Sequence, residues 1–159
     1  MFKKGLKFII IYYYDNKLLT NYYYSDKIIS YFILQGDIMS NYPKAIGPYS
    51  AYRESNGILF ASGQLPINPS SGEIESSDIK AQTKQVLNNI KGILEENGLS
   101  FSSVLKTTCF LADINDFAAF NEVYATFFAQ PFPARSAFAV KDLPKGAKVE
   151  IEIIASVKG

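Results

Sequence analysis

The 159-residue chain contains no histidine, one cysteine, and only two arginines among its sixteen basic residues. The absence of histidine excludes Ser-His-Asp and Cys-His nucleophilic sites, histidine zinc sites, and the paired histidines that many ribonucleases use as acid and base. The single cysteine, Cys109, excludes an internal disulfide and a thiolate metal cage. Any catalysis must therefore rely on carboxylates, tyrosine, lysine, arginine, backbone groups and water.

Charge and hydropathy are those of an ordinary globular protein. The sixteen basic and fifteen acidic residues leave a net charge of +1, and 48% of the residues are apolar. The length is that of one domain and is sufficient to bury a core. The near-neutral charge gives no electrostatic footprint for nucleic acid.

Residues 1–38 differ in composition from the rest, because they hold seven of the eleven tyrosines and no proline, alanine or arginine. A basic start precedes a short apolar run that Asp15 closes, and no A-x-A-like cleavage site follows. The run is shorter than the roughly 20 apolar residues that span a bilayer. We predict that residues 1–38 are upstream sequence translated from a misplaced start, and that residues 39–159 form the domain. The alternative is a genuine extension that packs as a strand or an interfacial segment.

Turn and cap residues divide the domain into elements. Asn56-Gly57 between two strand-like runs predicts a β-hairpin. Apolar residues at helical spacing predict a helix over 79–97, capped by Ser77 or Asp78 and ended by Gly98. Further strands are predicted by alternating or apolar runs. The predicted strands are residues 49–54, 58–67, 104–113, 134–140 and 148–157.

A second helix is predicted from Asn115 or Asp116 to about residue 129, with an aromatic core stripe. The order β-β-α-β-α-β-β predicts an α+β domain in which two helices cover one face of a mixed sheet. The other face must meet solvent or another subunit. Phe138 and Ile154 on that face are apolar, which predicts a closed homo-oligomer.

Arg135 lies in the apolar segment PFPARSAFAV, where a guanidinium is costly to bury unless an anion meets it. One interpretation is a bidentate contact to a substrate carboxylate. The other, equally open, is an ion pair with Glu150 or Glu152 on the neighbouring strand. Glu150 itself is either a carboxylate that positions a water or a solvent-facing glutamate.

Other polar residues are weaker candidates. Gly47-Pro48 predicts a turn that presents the Tyr49 hydroxyl, and Gly63 allows a ligand oxygen to approach its amide; taken singly, each is better explained by simple turn chemistry. Asn121 is either a solvated helix residue or a polar contact at a subunit interface. We interpret Cys109 as a buried, inert thiol. Lys106 is interpreted as a solvated lysine on an edge strand, with acid/base catalysis as the alternative.

Six segments between about Pro43 and Lys158, taken in order, resemble the RidA (YjgF-type) family of enamine/imine deaminases. Their colinear order over the whole domain makes the resemblance specific, and its start just after Met39 agrees with the predicted start. The segments are AIGPYS (45–50), LFASGQLP (59–66), NIKGILEENGLS (89–100), VLKTTCFLADINDFAAFNEVY (104–124), PARSAFAV (133–140) and LPKGAKVEIEIIA (143–155).

The resemblance implies a chorismate-mutase-like fold and a cytoplasmic homotrimer with three clefts between subunits. It implies hydrolysis of reactive 2-enamino or 2-imino acids, such as 2-aminoacrylate, to 2-oxo acids and ammonia, without a metal or cofactor. By resemblance, Arg135 binds the substrate carboxylate and Glu150 orients the attacking water. The ligand-lining positions implied in the same way are Tyr49, the Gly63 backbone, Asn121, and Ala137, which stands where many relatives have cysteine.

Three other functions stay open. The first is a trimer that binds 2-oxo acids or related metabolites without turnover. The second is an endoribonuclease and translation inhibitor, against which the neutral charge, the scarcity of arginine and the absence of histidine argue. The third is a chaperone-like or structural role that depends on exposed apolar surface.

Overall fold

A computed structural model of the chain describes residues 8–14, 17–24, 27–32 and 40–157. The chain divides into two compact units, Met1–Ile38 and Met39–Gly159. The first unit contains a three-stranded antiparallel sheet whose strand order follows the chain. Its strands are β1 (Phe8–Tyr14), β2 (Lys17–Tyr24) and β3 (Lys27–Phe32). The misplaced start stays a prediction.

The second unit has the predicted β-β-α-β-α-β-β order, with two helices packed on one face of a five-stranded sheet. Its strands are ordered β4-β5-β8-β6-β7, and only the β6–β7 pair is parallel, so the sheet is mixed. The elements are β4 (Tyr52–Ser55), β5 (Ile58–Gln64), α1 (Ile79–Glu96), β6 (Val104–Leu111), α2 (Phe117–Tyr124), β7 (Ala134–Ala139) and β8 (Val149–Ser156).

The hairpin between β4 and β5 is confirmed. Asn56 and Gly57 have φ values of 54° and 76°, the left-handed conformation that both central residues of a type I′ turn require. The first predicted strand begins three residues late, at Tyr52, because the Tyr49 amide donates to the Gly47 carbonyl oxygen over 2.8 Å and turns the chain. The second strand ends at Gln64 rather than at residue 67, and it contains a bulge between Ala61 and Gln64, after which pairing with β8 resumes.

The boundaries of α1 agree with the prediction to one residue. Asp78 is the N-cap, and its carboxylate accepts a 2.8 Å hydrogen bond from the Ala81 amide. At the other end Gly98 has a φ of 67°, and the Leu99 amide donates to the Leu94 carbonyl oxygen over 2.8 Å. This is a Schellman motif, which supplies a donor to a carbonyl that the helix leaves unpaired.

One detail of α2 is predicted wrongly, and another is confirmed in position only. Asp116 is the N-cap residue of α2, but its side chain makes no capping hydrogen bond, because a 3₁₀ turn over Ile114–Asp116 leads directly into the helix and the capping side chain lies before that turn. There Asp113 accepts from the Asn115 amide. The helix ends at Tyr124 rather than near residue 129. Beyond it, the amides of Thr126 and Phe127 donate to carbonyl oxygens three residues earlier, instead of the four that an α-helix requires.

The sheet has two faces, defined by strand alternation. The helix face carries the buried core with α1 and α2, whereas the open face points away from both helices. On the open face Phe60 and Phe138 are 47% and 45% exposed. The predicted positions of Phe138 and Ile154 on this face are confirmed, since the register pairs Phe138 with Phe110 and Ile154 with Phe60. In the part of the chain described, no helix has the length and apolar character needed to cross a membrane.

The segment before β4 packs onto α1 at a glycine. The Tyr42 hydroxyl donates to the Glu96 carboxylate. A Cβ added to Gly92 would lie 2.7 Å from the Asn41 carbonyl oxygen, a distance that real Cβ atoms essentially never show. Gly92 is therefore required by close packing rather than by backbone conformation.

Replacing Gly92 with alanine should lower the melting temperature of the protein. Alanine in an exposed helix interior normally gains about 1 kcal/mol over glycine, but here the added methyl group must displace the Asn41 backbone. Asn88→Ala, at an exposed position of the same helix, is the matched control and should not destabilise. Thermal unfolding followed by circular dichroism measures both, and a Gly92→Ala variant as stable as Asn88→Ala would contradict the packing assignment.

Candidate active site

The register of three strands decides which face each candidate residue occupies. Arg135 on β7 lies opposite Thr107 on β6, which lies opposite Ile153 on β8, so all three belong to the helix face. Glu150 lies opposite Phe110 and belongs to the open face. Because side chains alternate along a strand, Arg135 and Glu150 project from opposite faces of one chain's sheet.

The alternative interpretation of Arg135, an ion pair with Glu150 or Glu152, is therefore wrong within one chain. It assumed that the strands of these residues are neighbours, whereas β6 lies between them. In the part of the chain that the structure describes, Arg135 makes no ion pair with any carboxylate.

Neutral groups of α2 hold the Arg135 guanidinium instead. Its Nη1 donates a 2.8 Å hydrogen bond to Oδ1 of Asn121. Its Cζ lies 4.6 Å from the ring centroid of Tyr124 and 5.5 Å from that of Phe117, within the range of cation–π attraction. Asn121 is partly buried and Arg135 is exposed, so this hydrogen bond lies at the surface of the single chain. The guanidinium is oriented but not neutralised, and its remaining N–H groups can meet an anion.

Tyr124 and Thr107 support this arrangement, and the sequence reasoning missed both. The Tyr124 hydroxyl and Thr107 Oγ1 are 2.9 Å apart, and the two side chains are 5% and 0% exposed. Burial raises the pKa of Tyr124, and the Thr107 hydrogen bond opposes that rise. The spacing of Phe117, Asn121 and Tyr124, four and then three residues, was a usable signal because it places them on one side of a helix.

Ala137 follows Arg135 by two residues and therefore shares its face, opposite Cys109. Cys109 is fully buried, and burial raises the pKa of its thiol to about 11. The predicted burial of Cys109 is confirmed, and the raised pKa agrees with its interpretation as an inert thiol, since the thiolate is the reactive form. We call Arg135, Asn121, Tyr124, Phe117 and Ala137 the Arg135 cluster.

Glu150 sits on the open face against the β5 bulge. A Cβ added to Gly63 would lie 1.8 Å from Oε1 of Glu150, so only glycine leaves room for this carboxylate. The pKa of Glu150 is raised, first because the carboxyl is partly buried and second because the Glu152 carboxylate is close. Glu150 and Glu152 share a face, as alternation along β8 predicts.

Tyr49 lies on the stretch of chain that runs beside this bulge. Ser62 Oγ donates to the Ser50 carbonyl oxygen over 2.7 Å, and the Ser62 amide donates to the Ala51 carbonyl oxygen over 2.9 Å. The Tyr49 side chain is 53% exposed. We call Glu150 and Gly63 the Glu150 cluster, beside which the segment that carries Tyr49 runs; Arg135 and Glu150 thus belong to two groups on opposite faces of the sheet.

The interpretation of Lys106 as a solvated lysine on an edge strand is wrong. It lies on β6, which pairs with β7 on one side and β8 on the other. Its half-buried ammonium donates a 2.6 Å hydrogen bond to Ser136 Oγ on the open face. As for metals, the described residues contain no group of three or more cysteine, aspartate or glutamate side chains placed to hold an ion.

Gly63→Ala should displace the Glu150 carboxylate while leaving the fold intact. The added methyl group meets a side chain rather than backbone, so the carboxylate must rotate away. The expected crystal structure shows Glu150 in a different rotamer. A structure in which Oε1 stays in place and the strand moves instead would contradict this assignment. Ala61→Gly, at the other end of the bulge, is the control for altered strand flexibility.

The family model described as Endoribonuclease L-PSP matches residues 39–157. The chain belongs to this family, which includes the Rid and RutC proteins, so the resemblance drawn from the sequence is confirmed.

Individual relatives carry different names. A Lactococcus lactis protein named as a regulator, AldR, is 53% identical over 73% of this chain and 92% of its own length. The 2-iminobutanoate/2-iminopropanoate deaminase of Escherichia coli K12 is 46% identical over 72% of this chain and 91% of its own length.

Solved structures share the fold. The Rid-family protein YyfA from Yersinia pestis has a TM-score of 0.72 at 50% identity, covering 74% of this chain and 94% of that chain. E. coli TdcF with bound serine has a TM-score of 0.70 at 43% identity, with the same coverage. The predicted fold class, an α+β domain of two helices on one face of a mixed sheet, is confirmed.

Proposed function

We propose that this protein hydrolyses 2-imino acids, which form from 2-enamino acids such as 2-aminoacrylate, to 2-oxo acids and ammonia. The observation that carries the proposal is a guanidinium held only by neutral groups, ready for a carboxylate. Two comparisons support it: a relative at 46% identity is named for this activity, and TdcF binds serine, a small molecule with a carboxylate next to an amine-bearing carbon.

We further propose that the active site forms between subunits of a homotrimer. The Arg135 and Glu150 clusters lie on opposite faces of one chain, so a substrate can touch both only if they come from two copies. Such a head-to-tail contact closes into a ring when the rotation permits. Apolar side chains on the open face, including Phe60 and Phe138, suit burial against a second copy. The number three is taken from the family resemblance.

In the proposed reaction Arg135 binds the substrate carboxylate with two hydrogen bonds, which fixes the adjacent imine carbon. Glu150 of the neighbouring copy and the Gly63 amide hold a water against that carbon. The water oxygen bonds to the carbon of the protonated imine while Glu150 accepts one water proton, and the electron pair of the C=N double bond becomes the lone pair of an amine. Glu150 gives that proton to the amine of the resulting carbinolamine, and the C–N bond then breaks to release ammonia. The carbonyl forms as the hydroxyl proton passes to Glu150, which returns it to water.

The remaining proposed site residues line the cleft or orient Arg135. Tyr49 and the backbone of Ala137 line the cleft, and Asn121 holds Arg135. Imines already hydrolyse in water, so positioning of substrate and water supplies most of the acceleration that this reaction requires.

Ammonia release from freshly generated 2-aminoacrylate tests the proposal. Arg135→Ala should lower kcat/KM by about 10- to 100-fold, which is the loss expected when a hydrogen bond to a charged group is removed. Arg53→Ala, at the other arginine of the chain, exposed on β4, is the matched control and should behave as wild type. Absence of rate enhancement by the wild type would overturn the deaminase proposal.

Glu150→Gln separates an enzyme from a trimer that only binds 2-oxo acids. The amide keeps the shape of the carboxyl but cannot accept the proton, so kcat should fall by roughly 10²-fold or more while pyruvate binding survives. Mixing Arg135→Ala with Glu150→Gln protein and allowing subunits to exchange should restore activity, since about one shared cleft in four then has both wild-type residues. No restoration after exchange would contradict a site between subunits.

The pH dependence of kcat/KM should report the raised pKa of Glu150. The carboxylate is the active form, so activity falls as the pH drops through a pKa above that of an ordinary glutamate. Glu152→Gln removes the neighbouring charge, lowers the pKa of Glu150, and should move the acid limb to lower pH. Glu54→Gln, exposed on β4, controls for net charge; an acid limb unmoved by Glu152→Gln but moved by Glu54→Gln would contradict the assignment.

A further inference from the structure

The hydroxyl pair of Thr107 and Tyr124 links α2 to the sheet inside the core. Both side chains are buried, and the neighbouring Cys109 thiol donates a 3.9 Å hydrogen bond to Thr107 Oγ1. Valine and phenylalanine would fill nearly the same volume without polar atoms to satisfy. One of the two hydroxyls, which are 2.9 Å apart, donates to the other, and this hydrogen bond ties one point of α2 to one point of β6.

That point lies next to Arg135. Thr107 is the residue opposite Arg135 in the β6–β7 ladder, so the two side chains are neighbours on the helix face. The Tyr124 ring reaches down to Thr107 with its hydroxyl, and its ring centroid lies 4.6 Å from the guanidinium carbon. Asn121, one turn earlier on α2, accepts the hydrogen bond from Nη1.

We infer that Tyr124, fixed by its buried hydrogen bond to Thr107, is a positioning residue that sets the orientation of the Arg135 guanidinium and thereby the affinity of the site for a carboxylate. This inference rests on the proposed role of Arg135. A hydrogen bond at the end of the ring restricts its tilt and depth, which aromatic packing alone leaves adjustable. The Phe128 ring stacks on the Tyr124 ring, with the two centroids 4.5 Å apart, and restricts movement of the Tyr124 ring perpendicular to its plane.

The physical consequence is preorganisation. An arginine side chain has many rotamers, and ordering it when the ligand arrives costs binding free energy. A fixed ring beneath the guanidinium and a fixed amide at Nη1 order it beforehand, so its remaining N–H groups already point in one direction. Loss of the Thr107–Tyr124 hydrogen bond should therefore weaken carboxylate binding without removing any group that touches the ligand.

The test uses Tyr124→Phe and Thr107→Val in the full-length protein, with pyruvate binding measured by isothermal titration calorimetry and imine hydrolysis by ammonia release. Each variant should raise the pyruvate Kd by about three- to tenfold, the range expected for one lost hydrogen bond. The KM should rise in parallel, with a smaller change in kcat, because Arg135 holds the carboxylate before and during the reaction.

Three controls separate positioning from a purely structural role. Thr107→Ser keeps the hydroxyl and should restore the wild-type Kd, which also covers the case in which Thr107→Val fails to fold. Thr108→Val, on the open face of the same strand, and Tyr42→Phe, which loses a hydroxyl bonded to Glu96, should leave the Kd unchanged.

The deciding comparison is made in an Arg135→Ala background. There Tyr124→Phe should have no further effect on pyruvate affinity, because the residue it positions is gone. An equal effect of Tyr124→Phe with and without Arg135, or an unchanged Kd in the wild-type background, overturns the inference. If wild type binds pyruvate but does not release ammonia from the imine, the deaminase proposal fails while the binding data still decide the positioning role. If wild type does not bind pyruvate, both are overturned.

Discussion

Side chains alternate between the two faces of a β-sheet, and the position of β6 between β7 and β8 is the constraint on which this site depends. The register places Thr107 opposite both Arg135 and Ile153, so Arg135 shares a face with the helices. It places Glu150 on the other face, over the β5 bulge. A slip of one residue in β7 would exchange the faces and separate Arg135 from Asn121 and Tyr124.

This separation preserves the chemical character of both charged groups. A carboxylate beside Arg135 would neutralise the guanidinium and lower its attraction for a substrate anion. Conversely, an arginine beside Glu150 would depress the pKa that burial and Glu152 raise, and so weaken it as a base. Placing the two on opposite faces avoids mutual neutralisation within a chain. Assembly can then bring them to one cleft with room for a substrate between them, a step that belongs to the proposed function.

Local sequence signals predicted much of the fold. The features that depend on which strands pair with each other could not be predicted from such signals. The Asn56-Gly57 hairpin, α1 with its Asp78 cap, and the order of elements follow from short stretches of sequence. The strand order does not, because nothing in the sequence indicates that β6 inserts between β7 and β8. The wrong ion pair for Arg135 and the wrong edge position for Lys106 both result from that one missing fact. The overlong α2 has a different cause, since an aromatic stripe persists through the turns after the helix ends.

The candidate site could be proposed from the sequence only as separate residues. Residue chemistry indicated Arg135, Glu150, Gly63, Tyr49 and Asn121, and the family resemblance gave them roles and added Ala137. Neither indicated the groups that fix their geometry. Turn chemistry explained Gly63 in the sequence, whereas in the structure the Glu150 carboxylate occupies the space that a side chain at position 63 would need. Thr107 looked like an ordinary strand residue and instead anchors the ring beneath Arg135. In a chain without histidine, where the proposed reaction depends on positioning, such supporting contacts determine how well the few charged groups present can act.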